Sequence, residues 1–526
     1  MNYIKSLHIE GFKKFSTIDV KFNEHMNILV GENEAGKSTI LDAIKIVINQ
    51  QYKNSDKSIL RDLFNSAMVE EFKLNPCQET LPRILIELEL ELDPSMRNAS
   101  YFYGEVCGNG EQEKFGIRFE CRYDPELGAE IEHSILDGKI PYEYYVLTWT
   151  TFANRPYQMI KKPLNFLSIN TGDQNQGTLF NYFNKTLFMS KYDEETRAKT
   201  KNDFRTKLEV LFEDIGLPPI ASNRKFGIDN KKVILENIIT VLEDSIPLEN
   251  HGSGMESLIK TQIALDKSNG LNVILMEEPE NHLSFSTLQK MLHEISNQQQ
   301  SSQIIVATHS NMIASRLGLN NVLWITEGQV KSLMSVEQKT ADFFVRADDN
   351  SFLQLLLAKK IFLVEGATEF LLLPKFYEQM TGHSIEAEGI SIISCNGISY
   401  KRYLDIANAT NKKIAVITDN DNKSEKIEES EQVNNDKSHK NQRIFMGAKE
   451  EGWTWEDCVY KINKDVLDSL IKVKTDKQYL FHGKCYGKVL GKMLNNKVET
   501  AYQMLMSGKN FNIPKYIQEA IQWLNE

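Results

Sequence analysis

Short blocks of alternating or continuous apolar residues open the chain and predict strands over 3–9, 18–22 and 26–30. The last runs straight into VGENEAGKSTILDAIKIVI, which reads as strand, tight loop and amphipathic helix. The alternating segments RILIELELEL (83–92) and FGIRFECRY (115–123) predict antiparallel strands with one face buried. From about 174 to 245 the period lengthens to that of charged helices, in YDEETRAKTKNDFRTKLEVLFEDI and KKVILENIITVLEDSI, broken by the Pro-Pro of GLPPIAS. Strand signals return in LNVILMEEPE and SQIIVATHS, on either side of the helix STLQKMLHEISNQ. A boundary near 346–352 (ADDNSF) precedes a second alternation: KKIFLVEG, a helix from Ala367 to about Met380, GISIISCNG, another helix, then KKIAVITDND. This is a βαβαβ unit. Residues 422–444 are almost wholly polar and are expected to form a solvated loop or a partly disordered segment. There is no internal repeat and no sustained heptad. The expected divisions are a first lobe over 1–173, a helical insertion over 174–245, a second lobe over 246–345, and a separate α/β domain over 350–526. At roughly 100–200 residues per domain, 526 residues suit that number of parts.

Composition narrows the class. With 41% hydrophobic and 25% charged residues the chain can build packed cores. A net charge of −11 excludes a protein that coats nucleic acid through its overall field, so any DNA contact must be local. The six cysteines (Cys77, Cys107, Cys121, Cys395, Cys458, Cys485) contain no CxxC pair, which signals neither a zinc site nor a disulfide framework. They are expected to be reduced thiols in a cytoplasmic protein. The start MNYIKSLHIEGF lacks an apolar signal core, and no run approaches the ~18 apolar residues of a membrane span.

GENEAGKST, Gly31 to Thr39, satisfies G-x4-G-K-[ST] between an apolar strand and a helix. Backbone N–H groups of such a loop wrap phosphates at a helix N-terminus. Asn33, Gly36 and Thr39 belong to this ATP loop, Lys37 would reach the β/γ-phosphates, and Ser38 would ligate Mg²⁺. About 240 residues later, VILMEEPENHL ends an apolar strand in two acids. Glu277 would hold Mg²⁺ and Glu278 would polarise the attacking water as general base. Glu277 departs from the usual Asp. An acidic turn alone is as often structural as functional, but one that follows a phosphate loop at this distance is not accidental; a strand-end histidine or a Gly-Ser-Gly stretch is by itself usually structural. His309 in IIVATHS stands where ABC-type ATPases place a switch histidine. HGSGMES (251–257) resembles the ABC signature, in which Ser253 and Gly254 would contact nucleotide bound by a second subunit, implying a dimer. HIEGFKKF…NILVGENEAGKSTILDAI resembles the RecF/SMC branch of ABC ATPases, whose members act on DNA. Only about 215 residues separate Lys37 from Ser253, too few and too irregular for long coiled-coil arms.

A second carboxylate cluster follows. Glu365 ends the strand of FLVEGATEF, and Glu369, four residues on, lies in the first turn of the next helix. Asp419 and Asp421 close the strand of IAVITDND, where i,i+2 spacing is expected to point both to one side. Four carboxylates at one sheet edge repel one another unless cations bind, so one or two Mg²⁺ or Mn²⁺ ions are expected. VEG or DND alone is a common turn. Both together after βαβ alternation resemble the Toprim motifs of topoisomerases, primases and OLD nucleases.

The resemblance extends over almost the whole chain. An ABC ATPase with an inserted helical dimerisation region and a C-terminal Toprim domain resembles the OLD family (overcoming lysogenisation defect), including its Gabija and retron-associated branches. EEPENHL is similar to that family's E-E-P-E-x-H-L, with Ser284-Phe285 in place of the His-Pro that often follows. GWTWEDCVYKIN, NNKVETAYQML and IPKYIQEAIQWL also resemble family segments. They imply Glu456 as a further metal-site acid and Lys497 as the residue that stabilises transition-state charge. The fold implied is α/β: an ABC-type, RecF/SMC-like ATPase with a helical insertion, followed by a Toprim Rossmann-like domain. The activity implied is ATP-regulated, metal-dependent DNA cleavage in defence against phage, by a homodimer or larger oligomer. A helicase, or a reverse transcriptase with its DNA, is a possible system partner. Two other classes remain open: a DNA-binding repair or structural ATPase whose Toprim domain does not cleave, which plasmid nicking would separate, and strand passage or primer synthesis. The last two need a nucleophilic Tyr domain or zinc or helicase modules, and neither is visible.

Overall fold

The computed structural model describes residues 1–96, 98–105, 113–127, 135–158, 161–170, 176–222, 224–229, 233–266, 270–298, 302–326, 328–346, 352–395, 399–436, 440–474 and 479–526. Cys107, the end of GISIISCNG and most of the expected boundary at 346–352 lie outside them. Two compact units result: Met1–Leu317 with Asn321–Ser332, and Leu333–Glu526 with Gly318–Asn320.

The first unit is built on two sheets. Tyr3–Phe12, Phe15–Lys21, Ile84–Glu91, Tyr103–Glu105, Glu113–Tyr123 and Tyr145–Thr151 form an antiparallel sheet. Ile84, Ile86, Leu88 and Leu90 alternate into the core, as RILIELELEL predicted, while Glu87 on the other face accepts from Arg118 Nε at 2.7 Å. The second sheet runs in the order Gln329–Ser332, Val322–Thr326, Met26–Val30, Gln303–Ala307, Val273–Glu277, Phe166–Asn170, and is parallel except for its first strand. Met26–Val30 and Gln303–Ala307 are buried at every position, as parallel strands covered on both faces must be.

The helix Lys37–Asn49 lies in the core common to both sheets, with Ile40, Leu41, Ala43, Ile44, Ile46, Val47 and Ile48 all buried. Its less buried positions, Ser38, Asp42, Lys45 and Asn49, fall at i, i+4, i+7 and i+11, the polar stripe expected of an amphipathic helix. Its last carbonyls are satisfied from the antiparallel sheet and the segment after it: Trp149 Nε1 donates to Ile46 O at 3.0 Å and Tyr157 OH to Ile48 O at 2.9 Å.

The insertion is helical only in its first part, over Gln176–Lys191 and Glu194–Asp214. The helix expected in KKVILENIITVLEDSI does not form in the described residues. Leu235–Asn237 is a 3-10 turn, and Leu242–Glu243 pairs with Ile246–Pro247. Asp244 and Ser245 between them both take positive φ, 48° and 69°, the conformation of a tight hairpin turn. The β-branched run Ile238, Ile239, Thr240, Val241 suits extended chain as well as helix.

In the second unit Ile390–Ser394, Lys360–Val364, Lys413–Ile417 and Gln442–Phe445 form a parallel sheet in that order. The chain starts in the second position, moves to one edge, then crosses back to the other side. The carboxyl ends of Lys360–Val364 and Lys413–Ile417 therefore flank a topological switch point, where open α/β sheets bind ligands. Residues 422–444 correct the expectation of a solvated loop: they hold the helix Ser424–Asn435 and most of the strand Gln442–Phe445. Asn434 explains part of this order, its Nδ2 donating to Ile444 O and its Oδ1 accepting from Ile444 N, both at 2.8 Å. One amide thus satisfies an edge strand that polarity alone does not reveal. Residues 333–345, placed with the ATPase lobe in the sequence, pack in the second unit, where Thr340 Oγ1 donates to Asp405 Oδ2 at 2.8 Å.

Candidate functional site

In the first unit the phosphate loop is sterically specified. Gly36 has φ 105°, and a Cβ there would meet the Phe15 ring at 2.2 Å. Lys37 Nζ donates to the carbonyls of Gly31 at 2.9 Å and Glu32 at 3.1 Å and stands 3.4 Å from His309 Nδ1. Burial lowers the Lys37 pKa, and burial with the neighbouring Lys37 lowers that of His309, which favours the neutral imidazole beside the ammonium. His309 Nε2 lies 3.3 Å from Glu278 Oε1. Lys37, His309 and Glu278 thus converge from three segments far apart in sequence. Ser38 is exposed at the start of the helix and Thr39 is buried behind it, while Asn33 is exposed in the loop.

Glu278 follows its strand with φ 45° and donates N–H to Ala307 O at 2.8 Å, and its Oε2 accepts from Asn281 at 2.7 Å. Glu277 accepts from Asn170 Nδ2 at 3.3 Å and has Lys45 Nζ at 3.9 Å. Asn170 and Lys45 escaped the sequence reading; no motif marks Asn170, which enters because Phe166–Asn170 pairs with Val273–Glu277. Glu280 was missed as well. Its Oε1 accepts from Thr308 Oγ1 at 2.6 Å and from the His309 amide at 3.0 Å, so it orients the strand end that carries the histidine. Ser253 opens the helix Ser253–Leu265 and is exposed, and a Cβ on Gly254 would meet His282 O at 2.7 Å. That helix start therefore packs directly on the EEPENHL loop.

In the second unit Glu365, Glu369, Asp419 and Glu456 gather at the switch point. Glu365 Oε2 accepts from Thr418 Oγ1 at 3.0 Å and from the Asp419 amide at 3.2 Å. Glu369 occupies the third position of the helix Ala367–Thr381, where its Oε2 accepts from the Gly366 amide at 3.1 Å as half of a capping box. Asp419 Oδ1 accepts from the Trp455 amide at 2.8 Å. Burial, with Glu456 and Glu365 nearby, pushes the Glu369 carboxyl up to about 7. Burial and then Glu365, Glu369 and Glu456 raise Asp419 well above the usual carboxylate range. Lys497 Nζ pairs with Glu456 Oε2 at 3.0 Å; burial opposes its charge, but Glu456 and the other acids raise its pKa.

Asp421 corrects an expectation. Beyond Ile417 the chain is no longer strand, and Asp421 has φ 50°. Asp419 turns inward to Trp455, whereas Asp421 is 39% exposed and pairs with Lys426 at 2.7 Å. Between them Asn420 is buried, its Nδ2 donating to Gly447 O and Gly452 O.

The donor set fits a hard divalent cation. It is all oxygen, acidic beyond what one lysine neutralises, and Glu456 Oε1 is buried without a hydrogen-bond partner among the described residues. As they stand, no three Asp, Glu, His or Cys side chains among the described residues are close enough to enclose an ion. Glu369, Glu365 and Asp419 are each tied to a different partner, the Gly366 amide, the Thr418 hydroxyl and the Trp455 amide.

Comparison with known proteins agrees with both halves. Residues 2–114 match the model of an AAA ATPase domain, and residues 356–421 match that of the overcoming lysogenization defect protein-like TOPRIM domain. The DNA replication and repair protein RecF of Clostridium acetobutylicum is 34% identical over 260 residues, 46% of this chain and 67% of that protein. The DNA double-strand break repair Rad50 ATPase of Methanopyrus kandleri is 34% identical over 67 residues, 13% of this chain and 8% of that protein. The RecF of Lactobacillus johnsonii is covered over 25% of its length, at 29% identity over 18% of this chain. Among solved structures, an SmcHead bound to the C-winged helix domain of ScpA aligns with 64% of this chain and 100% of that chain, at TM-score 0.34 and 15% identity. Among the described residues no helix is long and apolar enough to cross a membrane. With an ATPase domain of the SMC/RecF type at the N-terminal end and an OLD-like Toprim domain at the C-terminal end, the chain matches the domain arrangement of an OLD-family ATPase–Toprim fusion.

Proposed function

We propose that the protein is an ATP-regulated, divalent-metal-dependent DNA endonuclease that acts in the cytoplasm in anti-phage defence. The observation that carries this reading is the gathering of Glu365, Glu369, Asp419 and Glu456, with Lys497, at the switch point of a parallel sheet. Its ATPase relatives are named for DNA replication, DNA repair and chromosome maintenance, which favours DNA as the substrate.

Glu365, Glu369 and Asp419 would hold Mg²⁺ or Mn²⁺, with Glu456 behind them and Asp421 at the rim. The bound cation supplies a Lewis acid and a water made nucleophilic near neutral pH. The chain's own part is to fix the carboxylates. Trp455 and Thr418 set Asp419 and Glu365, the capping box sets Glu369, and Lys497 offers positive charge where the phosphoryl oxygens gain negative charge. Metal-dependent nicking of plasmid DNA, lost in a folded Asp419→Ala variant, tests the reading.

ATP is assigned to the loop of Asn33, Gly36, Lys37, Ser38 and Thr39, with Ser38 and Glu277 on Mg²⁺, Glu278 as general base and His309 as γ-phosphate sensor. Phosphodiester hydrolysis is already downhill, so the nucleotide regulates. Ser253 and Gly254 complete the site of a second subunit in a homodimer or larger oligomer, and the domains follow the divisions 1–173, 174–245 and 246–332, with residues from 333 onward in the Toprim unit. A helicase, or a reverse transcriptase with its DNA, is the class of partner that the family resemblance suggests.

A further inference from the structure

Charge is spread unevenly along this chain. Residues 472–497 hold seven lysines and one aspartate, a local balance of +6 (7 − 1) in a protein whose total is −11. Inside that stretch Leu480–Phe481 pairs with Lys484–Cys485, turning through His482 and Gly483, both at positive φ (47° and 76°). The hairpin brings two rings to Trp453, with Phe481 at 5.9 Å and Tyr486 at 5.5 Å between centroids, and His482 stands edge-on to Phe481 at 4.3 Å. Trp453, Phe481 and Tyr486 are only partly buried, and His482 is exposed.

Trp453, against which the other two rings lie, stands on the segment that contacts Asp419 and Asp421. Trp453 O accepts from the Asp421 amide at 3.1 Å, and Trp455, two residues on, donates to Asp419 Oδ1. The turn before it is drawn tight: Gly452 has φ 154°, and a Cβ there would meet Cys458 Sγ at 2.7 Å. Lys497, at the end of the basic stretch, is already paired with Glu456. Rings, lysines and carboxylates are therefore one continuous piece of the second unit.

Partly exposed rings interleaved with lysines form the usual surface for unpaired nucleic acid, because every base has a π-face and every phosphate a charge. In duplex DNA those base faces are already stacked. We propose that Trp453, Phe481 and Tyr486 form a stacking platform for unpaired bases, with Lys484 and Lys488 on the phosphates of the same strand. The DNA strand presented to the carboxylates is then single-stranded or locally melted, as negatively supercoiled plasmid supplies in part, and not relaxed duplex. The inference rests on the nuclease reading, whose substrate it specifies.

The test is equilibrium binding of the full chain, in EDTA, to a short labelled oligo(dT) and to a blunt duplex of the same length. The expected result is tighter binding of the single strand. Tyr486→Ala should lower that affinity about ten-fold, within the range measured for one stacked base, with less than a two-fold effect on duplex. Tyr486→Phe should retain it. Lys484→Ala and Lys488→Ala should each flatten the logarithmic salt dependence by about 0.7. Equal losses on both DNAs would overturn the proposal. So would unchanged oligo(dT) binding by Tyr486→Ala, which would leave the aromatic face to a protein. Cleavage plays no part in this readout. A wild type that binds through Tyr486 but never cleaves defeats the nuclease reading alone; one that cleaves yet binds independently of Tyr486 defeats the platform alone.

Discussion

Lys497 Nζ lies 3.0 Å from Oε2 of Glu456, a carboxylate whose side chain is 1% exposed. Removing one partner of such a pair leaves a buried charge uncompensated, which costs about 3–5 kcal/mol when both are buried. Lys497 is 39% exposed, so water recovers part of that. Lys497→Met should therefore destabilise by about 2 kcal/mol, while Glu456→Gln with Lys497→Met should cost much less than the sum of the single changes. Urea unfolding of the four proteins in EDTA gives the coupling. Strict additivity would show that the pair does not act as one.

Asp419 is 8% exposed among three other acids, and without metal its charge works against the fold. Asp419→Asn keeps an oxygen for the Trp455 amide and removes the repulsion. It should raise the melting temperature in EDTA, by roughly 1–2 kcal/mol of stability. Millimolar Mg²⁺ or Mn²⁺, without nucleotide, should stabilise the wild type, by about 2.7 kcal/mol at one hundred times Kd, and leave the variant unmoved. Equal metal stabilisation of both proteins in thermal melts would place the ion elsewhere.

For the nucleotide, Lys37 now donates to loop carbonyls and borders His309, and those contacts must be exchanged for phosphate. Lys37→Ala should abolish binding of a fluorescent ATP analogue. Glu278→Gln should bind it normally and slow turnover by about 10²-fold, the scale of a lost general base. Each should also change the rate of DNA cleavage, one as the nucleotide-free and the other as the ATP-held state. A shift from mostly one state to the other takes about 5.5 kcal/mol of differential affinity. Identical, flat curves of cleavage against ATP for wild type and Lys37→Ala would show that the two activities are uncoupled.

Assembly has its own structural sign. Val210, Leu211, Ile215, Leu217 and Ile220, at the end of Glu194–Asp214 and just beyond, are each about half exposed or more. Exposed apolar patches of this kind mark interfaces. Light scattering at micromolar concentration with ATP should give a dimer or larger, and Leu211→Glu with Ile215→Glu should shift it toward monomer. A wild type that is strictly monomeric would remove the assignment of Ser253 and Gly254 to a neighbour's nucleotide.

What the sequence revealed and what it hid have physical reasons. The placement of the phosphate loop, Glu277, Glu278, Glu365 and Asp419 was legible because each stands at the end of an apolar strand or within two residues of it, and a strand end in a parallel sheet is a fixed address. Asp421 was misjudged because the two-residue period holds only while the chain is strand, and the strand ends at Ile417. The helix Ser424–Asn435 was hidden because its order depends partly on the Asn434 amide reaching Ile444, a tertiary contact with no local signature. Glu280 sat inside a recognised motif, but only the register of Val273–Glu277 with Gln303–Ala307 shows that it holds Thr308 and the His309 amide. Trp453 and Tyr486 are 33 positions apart, and no periodicity links them.

Most direct of all is supercoiled-plasmid cleavage with Mg²⁺ or Mn²⁺ and ATP, comparing the wild type with Asp419→Ala shown by circular dichroism and ATP binding to be folded. The carboxylate site predicts nicked or linear product from the wild type, none in excess EDTA, and at least a 10²-fold loss in the variant, as for removal of a principal transition-state contact. Undiminished, metal-dependent cleavage by the folded Asp419→Ala protein would contradict it.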